Sequence, residues 1–326
     1  MNQLIPAFSW QKHIIDPWMI DFSTSTWIVS MGFFVTAACG LVGIYLLLRR
    51  MALVGDAISH SVLPGLIVAF ILFRHASTPV IFSGALGAGL LTVAFIEFIH
   101  KQSRVKPDAA ICISFTILFA IGVAMMSNLE THGSFHIDAD CLLYGEIVFV
   151  SLEPHLIVGG IELGPPSVLR MGAVLLVVII LITFFYKELL LTSFDQGLAK
   201  SLGFRTGVWH YGLMGVLSIV IVAAFEAVGA ILVVAMLIVP PMFAAQLSDR
   251  MFPRMLLVVL HAFLSSLLGY HLSVWLACSA AGAMVVVASL LFVIAWVGTL
   301  IDLQIQRRRL REAHTQPNIK GAAVPN

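Results

Sequence analysis

Charge is what this chain has least of. Asp, Glu, Lys and Arg make up 11% of its 326 residues and hydrophobic residues 60%, whereas soluble domains run near 25% charged and 45–50% apolar. An ordinary water-soluble fold is excluded. The 18 Lys and Arg nearly cancel the 17 Asp and Glu, leaving a net charge of +1, so neither a nucleic-acid-binding stripe nor an acidic tail is indicated. Cysteine is also sparse: Cys39, Cys112, Cys141 and Cys278 show no C-x-x-C spacing, which argues against a disulfide framework. The chain lacks a G-x-x-x-x-G-K-[ST] loop, so it does not supply a Walker-type ATPase itself, and it lacks H-E-x-x-H and G-x-S-x-G, which removes the usual support for a membrane protease.

What is present is a series of long apolar runs. Crossing a core of about 30 Å at 1.5 Å per residue takes about 20 residues. Runs of that kind lie at 27–48, 51–73, 80–99, 109–126, 168–186, 208–225 and 227–245, with a final stretch at 255–300 that is too long for one helix. A turn at Gly269, His271 and Ser273 is expected to divide that stretch, and another is expected at Ala223 to Val228. The chain is therefore expected to be all-α, a polytopic integral membrane bundle of about 8–9 transmembrane helices. The first 26 residues carry Lys12, Asp16, Asp21, Pro6 and Pro17 and do not read as a cleaved signal peptide.

Alternation of the spans places 15 basic residues on one side and three, Lys12, Arg74 and Arg170, on the other. By the positive-inside rule this predicts a bacterial inner-membrane protein with its N-terminus outside and its C-terminus in the cytoplasm. The expected organisation is an external segment at 1–26, a transmembrane domain at 27–301 with an outer segment at 127–167, and a basic cytoplasmic tail at 302–326. Eight acids, among them Asp138, Asp140 and Glu146, fall on the outer side.

Within the second run, MALVGDAISHSVLPG places Asp56 and His60 four residues apart on one helix face. For a helix beginning near Met51, His60 lies about 13 Å along it, near mid-bilayer. A carboxylate at that depth costs on the order of 3 kcal/mol unless it is paired or hydrated. Carboxylate and imidazole are ligands for divalent transition metals. The same spacing also suits an Asp–His hydrogen bond that only fixes packing, and spacing leaves the two readings level. Glu226, between the sixth and seventh runs, suits an interfacial residue or a cation entry point. Glu97 suits an ion pair beside His100, Lys101 and Arg104. His261 and His271 suit packing more readily than ligation, and Asp108 after Pro107 suits a helix start.

Between the fifth and sixth runs, KELLLTSFDQGLAKSLGF contains Ser193-x-x-Gln196, a capping-box pattern, and Gly203 as a helix stop. Phe194, Leu198 and Leu202 recur at four-residue spacing beside Asp195. That apolar ridge suits a soluble partner or the bilayer interface equally well.

Five stretches together resemble the membrane permease subunits of bacterial zinc/manganese/iron ABC importers. They are RRMALVGDAISHSVLPG, KPDAAICISFTILFAIG, DADCLLYGEI, KELLLTSFDQGLAKSLG and VGAILVVAMLIVPP, in the family's order, with DADCLLYGEI resembling the manganese/iron-leaning branch. The resemblance implies that Asp56 and His60 lie on the metal path, with Glu226 and His261 as further candidates. It implies that Ser193, Phe194, Asp195, Gln196, Leu198 and Leu202, in a cytoplasmic coupling helix at 193–202, dock an ABC ATPase subunit. It also implies an external metal-binding protein, a second permease copy or paralogue, no resident cofactor, and manganese, iron or zinc as cargo. The alternative from another class is a stand-alone secondary metal-ion transporter or channel.

Overall fold

A segment inside a bilayer must satisfy its own backbone N–H and C=O groups, and the helix is the single-chain way to do so. The computed structural model follows that rule. It describes residues 6–73, 78–131, 147–158 and 161–315, with the backbone alone at 78, 79, 129–131, 158, 161, 226, 227, 230, 231 and 308–315. Short α1 (Asp16–Ile20) leads into α2 (Phe22–Leu48), α3 (Leu53–Phe73), α4 (Thr78–Gln102) and α5 (Pro107–Thr131). A 3₁₀ turn, Ile147–Leu152, and an antiparallel hairpin of β1 (Leu156–Val158) and β2 (Ile161–Gly164) precede α6 (Pro166–Phe184). Then come α7 (Tyr186–Phe194), α8 (Gln196–Ser201), α9 (Thr206–Leu247), α10 (Met251–Leu276) and α11 (Ala280–Thr315). Among the described residues eight helical segments are long and apolar enough to cross a membrane, and Leu232–Leu247 adds a shorter apolar one.

The centre of the bundle is α2, buried from Met31 to Leu46 on most of its surface and packed against α9, α10 and α6. Its small residues permit that contact: a Cβ on Gly43 would meet the Leu237 carbonyl oxygen of α9. In lipid, close backbone approach of this kind, rather than water exclusion, drives helix association. Asp21 begins α2 as a cap, its Oδ1 accepting from the Thr24 N–H at 3.1 Å.

The expected turn at Ala223 to Val228 falls just beyond, at Gly229, whose φ of 73° and ψ of 168° break α9 into two limbs. Few residues other than glycine adopt that backbone. Ile221 and Leu237 flank the break symmetrically, and both approach the Cβ position of Gly55. Sixteen residues of straight helix span about 24 Å, so the chain folds back there. The division of the last long run differs from expectation. Gly269, His271 and Ser273 are inside α10, and the turn is at Ala277, left-handed at φ 50°, with the Cys278 N–H on the Ser273 carbonyl at 3.2 Å. Gly269 is needed for packing instead, since a Cβ there would strike the Met284 backbone of α11.

Contacts gather the basic turns at one end of the bundle. Arg49 after α2 reaches Thr192 and Ser193 of α7 and His210 of α9. Leu48, Lys187, Asp249 and Arg254 line a single cleft there. At the opposite end Trp18, His271 and Tyr270 cluster, as aromatic side chains do where a membrane protein meets the interface.

Candidate functional site

Asp56 sits in the first turn of α3 and His60 one turn further on. Because α3 begins at Leu53 rather than Met51, both residues lie in the half of the helix nearest the basic end. The i, i+4 geometry brings His60 Nε2 to 3.3 Å from Asp56 Oδ1, with the side chains 26% and 36% exposed. The imidazole faces α5, its ring centroid 5.8 Å from that of Phe115 and 5.5 Å from that of Phe119. The pair is thus partly accessible and apolar on the flank that faces α5. Among the described residues no His, Cys, Asp or Glu forms a group of three around it or anywhere else. Pro64, near the middle of α3, removes one backbone donor just beyond the pair.

The other two metal candidates differ. His261 is fully buried on α10, with Nε2 donating to the Ala288 carbonyl at 3.1 Å and its ring 4.6 Å from that of Phe243. Its Nδ1 has no partner, and no second ligand approaches it among the described residues. The structure does not bring His261 to the Asp56–His60 pair. The backbone of Glu226 is in α9, three residues before the Gly229 reversal, and its side chain lies outside the described residues. The stretch from Asp138 to Glu146 lies outside them as well.

The segment at 193–202, expected to be one helix, is parts of two short ones. Ser193 does not cap it. Asp195 takes an extended conformation (φ −144°, ψ 98°), ends α7 and caps α8, accepting the Leu198 N–H on Oδ1 at 3.0 Å. An ionised carboxylate serves the positive end of a helix better than a hydroxyl, and the Ser193 hydroxyl is engaged elsewhere. Gly203, at φ 85°, ends α8 as expected: its N–H reaches the Lys200 carbonyl and the Phe204 N–H reaches that of Ala199, both at 3.0 Å, the Schellman arrangement. Phe194 is 81% exposed, Leu198 49% and Leu202 60%, and Gln196 is exposed beside them. Three apolar side chains therefore project from the basic end, each exposed over about half of its surface or more.

Ser193 is buried and points inward, and it introduces a cluster that motif reading missed. Arg49 Nε donates to Ser193 Oγ at 2.9 Å, Nη2 to Thr192 Oγ1 at 3.3 Å and Nη1 to His210 Nδ1 at 3.3 Å. Guanidinium has no acceptor, so Nδ1 must accept and Nε2 must carry the proton. His210 Nε2 then donates to Glu97 Oε1 at 2.9 Å, while Glu97 Oε2 binds Lys101 Nζ at 2.5 Å. Burial pushes the Arg49 guanidinium down to about 10, which leaves it charged at neutral pH. The expected ion pair of Glu97 is present with Lys101, one turn away, but its other partner is His210 rather than His100, which contacts the Val105 carbonyl. The only advance signal was polar residues at the basic ends of four separate runs.

A bundle of at least eight apolar spans with an Asp–His pair inside one of them, and a short apolar ridge offered at its basic end, defines a polytopic membrane transport protein. The chain belongs to the ABC 3 transport family, whose family model matches residues 20–299. It is 40% identical over 275 residues to the manganese transport system membrane protein MntD of Bacillus subtilis (strain 168), covering 84% of this chain and 92% of that one. It is 39% identical over 270 residues to the zinc transport system membrane protein TroD of Treponema pallidum (strain Nichols), covering 83% of this chain and 72% of the other. Among solved structures, PsaBC from Streptococcus pneumoniae in complex with Fab superposes with a TM-score of 0.70 at 31% identity, covering 86% of this chain and 94% of that one.

Proposed function

We propose that the chain is the permease subunit of an ATP-binding cassette importer for a divalent transition metal, manganese, iron or zinc, with Asp56 and His60 as ligands on the path. The observation that carries this reading is the pair itself: two adjacent metal donors, partly exposed inside a span, in a chain of a transport family. Relatives named for manganese and for zinc support the class of cargo, and Asp and His suit all three metals. Two donors are too few for any of them, since four to six are usual. A second permease copy or paralogue would supply a second pair, and waters the remainder.

In this reading the basic end faces the cytoplasm, as the positive-inside rule requires, and the N-terminus lies outside. Phe194, Leu198 and Leu202 enter a groove of an ATPase subunit, with Asp195 and Gln196 at the rim of the contact. An external metal-binding protein delivers the cation. ATP hydrolysis in the partner moves α7 and α8, and the bundle alternately opens the Asp56–His60 region to either side. The chain's own work is binding, orientation and gating, without bond chemistry.

The test is manganese(II) uptake by vesicles carrying the assembled transporter. Asp56→Ala and His60→Ala are each expected to abolish uptake while the permease still inserts and still holds its ATPase subunit. Normal uptake in both variants would overturn the assignment.

A further inference from the structure

The docking segment and the Asp56–His60 pair are on different helices, and a continuous line of contacts joins them. It starts at Ser193 and Thr192, whose hydroxyls accept from Arg49. It crosses to α9 through His210 and to α4 through Glu97. Five residues back along α4, Thr92 Oγ1 donates to Ser61 Oγ of α3 at 2.5 Å, where Ser61 is the neighbour of His60. The α3–α4 contact is the most extensive in the bundle. Five helices, α7, α2, α9, α4 and α3, are therefore joined by side-chain hydrogen bonds.

Two features separate this line from ordinary surface ion pairing. His210 and Glu97 are only 14% and 17% exposed, so their contacts are shielded from solvent and salt. Arg49 is also anchored by its backbone: its N–H bonds the Tyr45 carbonyl at 3.1 Å, and the chain then turns through Arg50 at φ 57°. The guanidinium is thus tied to the end of α2, the most buried of the spans, and is held there by its own three hydrogen bonds. A displacement of α7 either breaks the two hydrogen bonds from Arg49 to Ser193 and Thr192 or moves the guanidinium and the His210 that it holds.

We infer that Arg49, His210 and Glu97 are positioning residues that transmit movement of the docking segment to α4, and through α4 to the metal-binding pair on α3. The inference rests on the docking role proposed above for Phe194, Leu198 and Leu202. The guanidinium fork matters because it engages α7 and α9 at once, which the single ammonium of a lysine would not reproduce. Glu97 matters because its two oxygens hold His210 and Lys101 separately.

The experiment uses the complete transporter, with its ATPase subunit and binding protein, in proteoliposomes, and reads manganese(II) transported per ATP hydrolysed. Arg49→Gln and Glu97→Gln are each expected to keep the ATPase subunit bound and ATP hydrolysis within about threefold, while transport per ATP falls about tenfold, within the range of known couplings between sites. The double variant should fall no further than about twofold below either single one, because both interrupt one line, and Arg49→Lys should recover only part of the loss. A merely structural role would lower both rates in parallel and leave the ratio alone. An unchanged ratio, or additive losses in the double variant, overturns the inference, as does loss of the ATPase subunit from both single variants. Failure of the docking role itself shows separately, as full retention of the ATPase subunit by Phe194→Asp.

Discussion

The molecule contains two acid–histidine pairs of nearly the same composition and opposite circumstances. His60 and Asp56 lie on one helix, 3.3 Å apart, and are 26% and 36% exposed. His210 and Glu97 come from different helices, 2.9 Å apart, and each has a further charged partner in Arg49 or Lys101. The second pair is saturated: both imidazole nitrogens and both carboxylate oxygens are engaged. The first leaves one imidazole nitrogen and one carboxylate oxygen without a hydrogen-bond partner among the described residues, and both side chains are partly exposed. Residue type alone would rank the two equally as metal ligands, and spare coordination capacity is what separates them.

That contrast is sharpest in transport. His60→Ala and Asp56→Ala should lower metal uptake by more than about a hundredfold, since loss of supporting residues alone costs 10–100-fold in metal sites, with assembly unchanged by co-purification. Next, Phe194→Asp should weaken ATPase-subunit binding about thirtyfold, the effect of an interface anchor worth about 2 kcal/mol, as read by pull-down; retention would return the ridge to the bilayer interface. His210→Gln should lower stability by about 1–3 kcal/mol, the cost of a buried charged group losing its hydrogen bond, visible as an earlier thermal midpoint in detergent. His60→Gln should change it by no more than about 0.5 kcal/mol. If the two glutamine variants destabilise equally, the contrast between a saturated and an open pair is wrong. The smallest effect is expected for Asp195→Ala, where a lost helix cap costs about 1 kcal/mol and weakens ATPase-subunit binding about fivefold.

Ser193 shows where reading along the chain stops. Its spacing to Gln196 matches a capping box, but Asp195 lies between them and is the stronger cap, while the Ser193 hydroxyl is turned to Arg49. The exposed members of the same segment, Phe194, Leu198 and Leu202, were legible because a four-residue apolar period maps directly onto one helix face. The Gly229 reversal was legible to within a few residues, since Glu226 interrupts an apolar run too long for one span. The turn at Ala277 was not, because Gly269 reads as a breaker in one dimension and as a packing contact with Met284 in three. Asp56 and His60 were adjacent by helix periodicity; their partial exposure and the Phe115 and Phe119 rings against His60 were not written in that period.

By itself, the sequence determined the helical character, the number of spans to within one, the collection of basic residues at one end and the Asp–His spacing. These are local properties: hydropathy adds residue by residue, and side chains four apart share a face in any helix. The tertiary structure alone decided which polar residues are saturated and which are open. Arg49 and His210 are 161 residues apart in the chain, and their meeting depends on how α2, α7 and α9 cross, a matter of close packing that no short window of sequence contains.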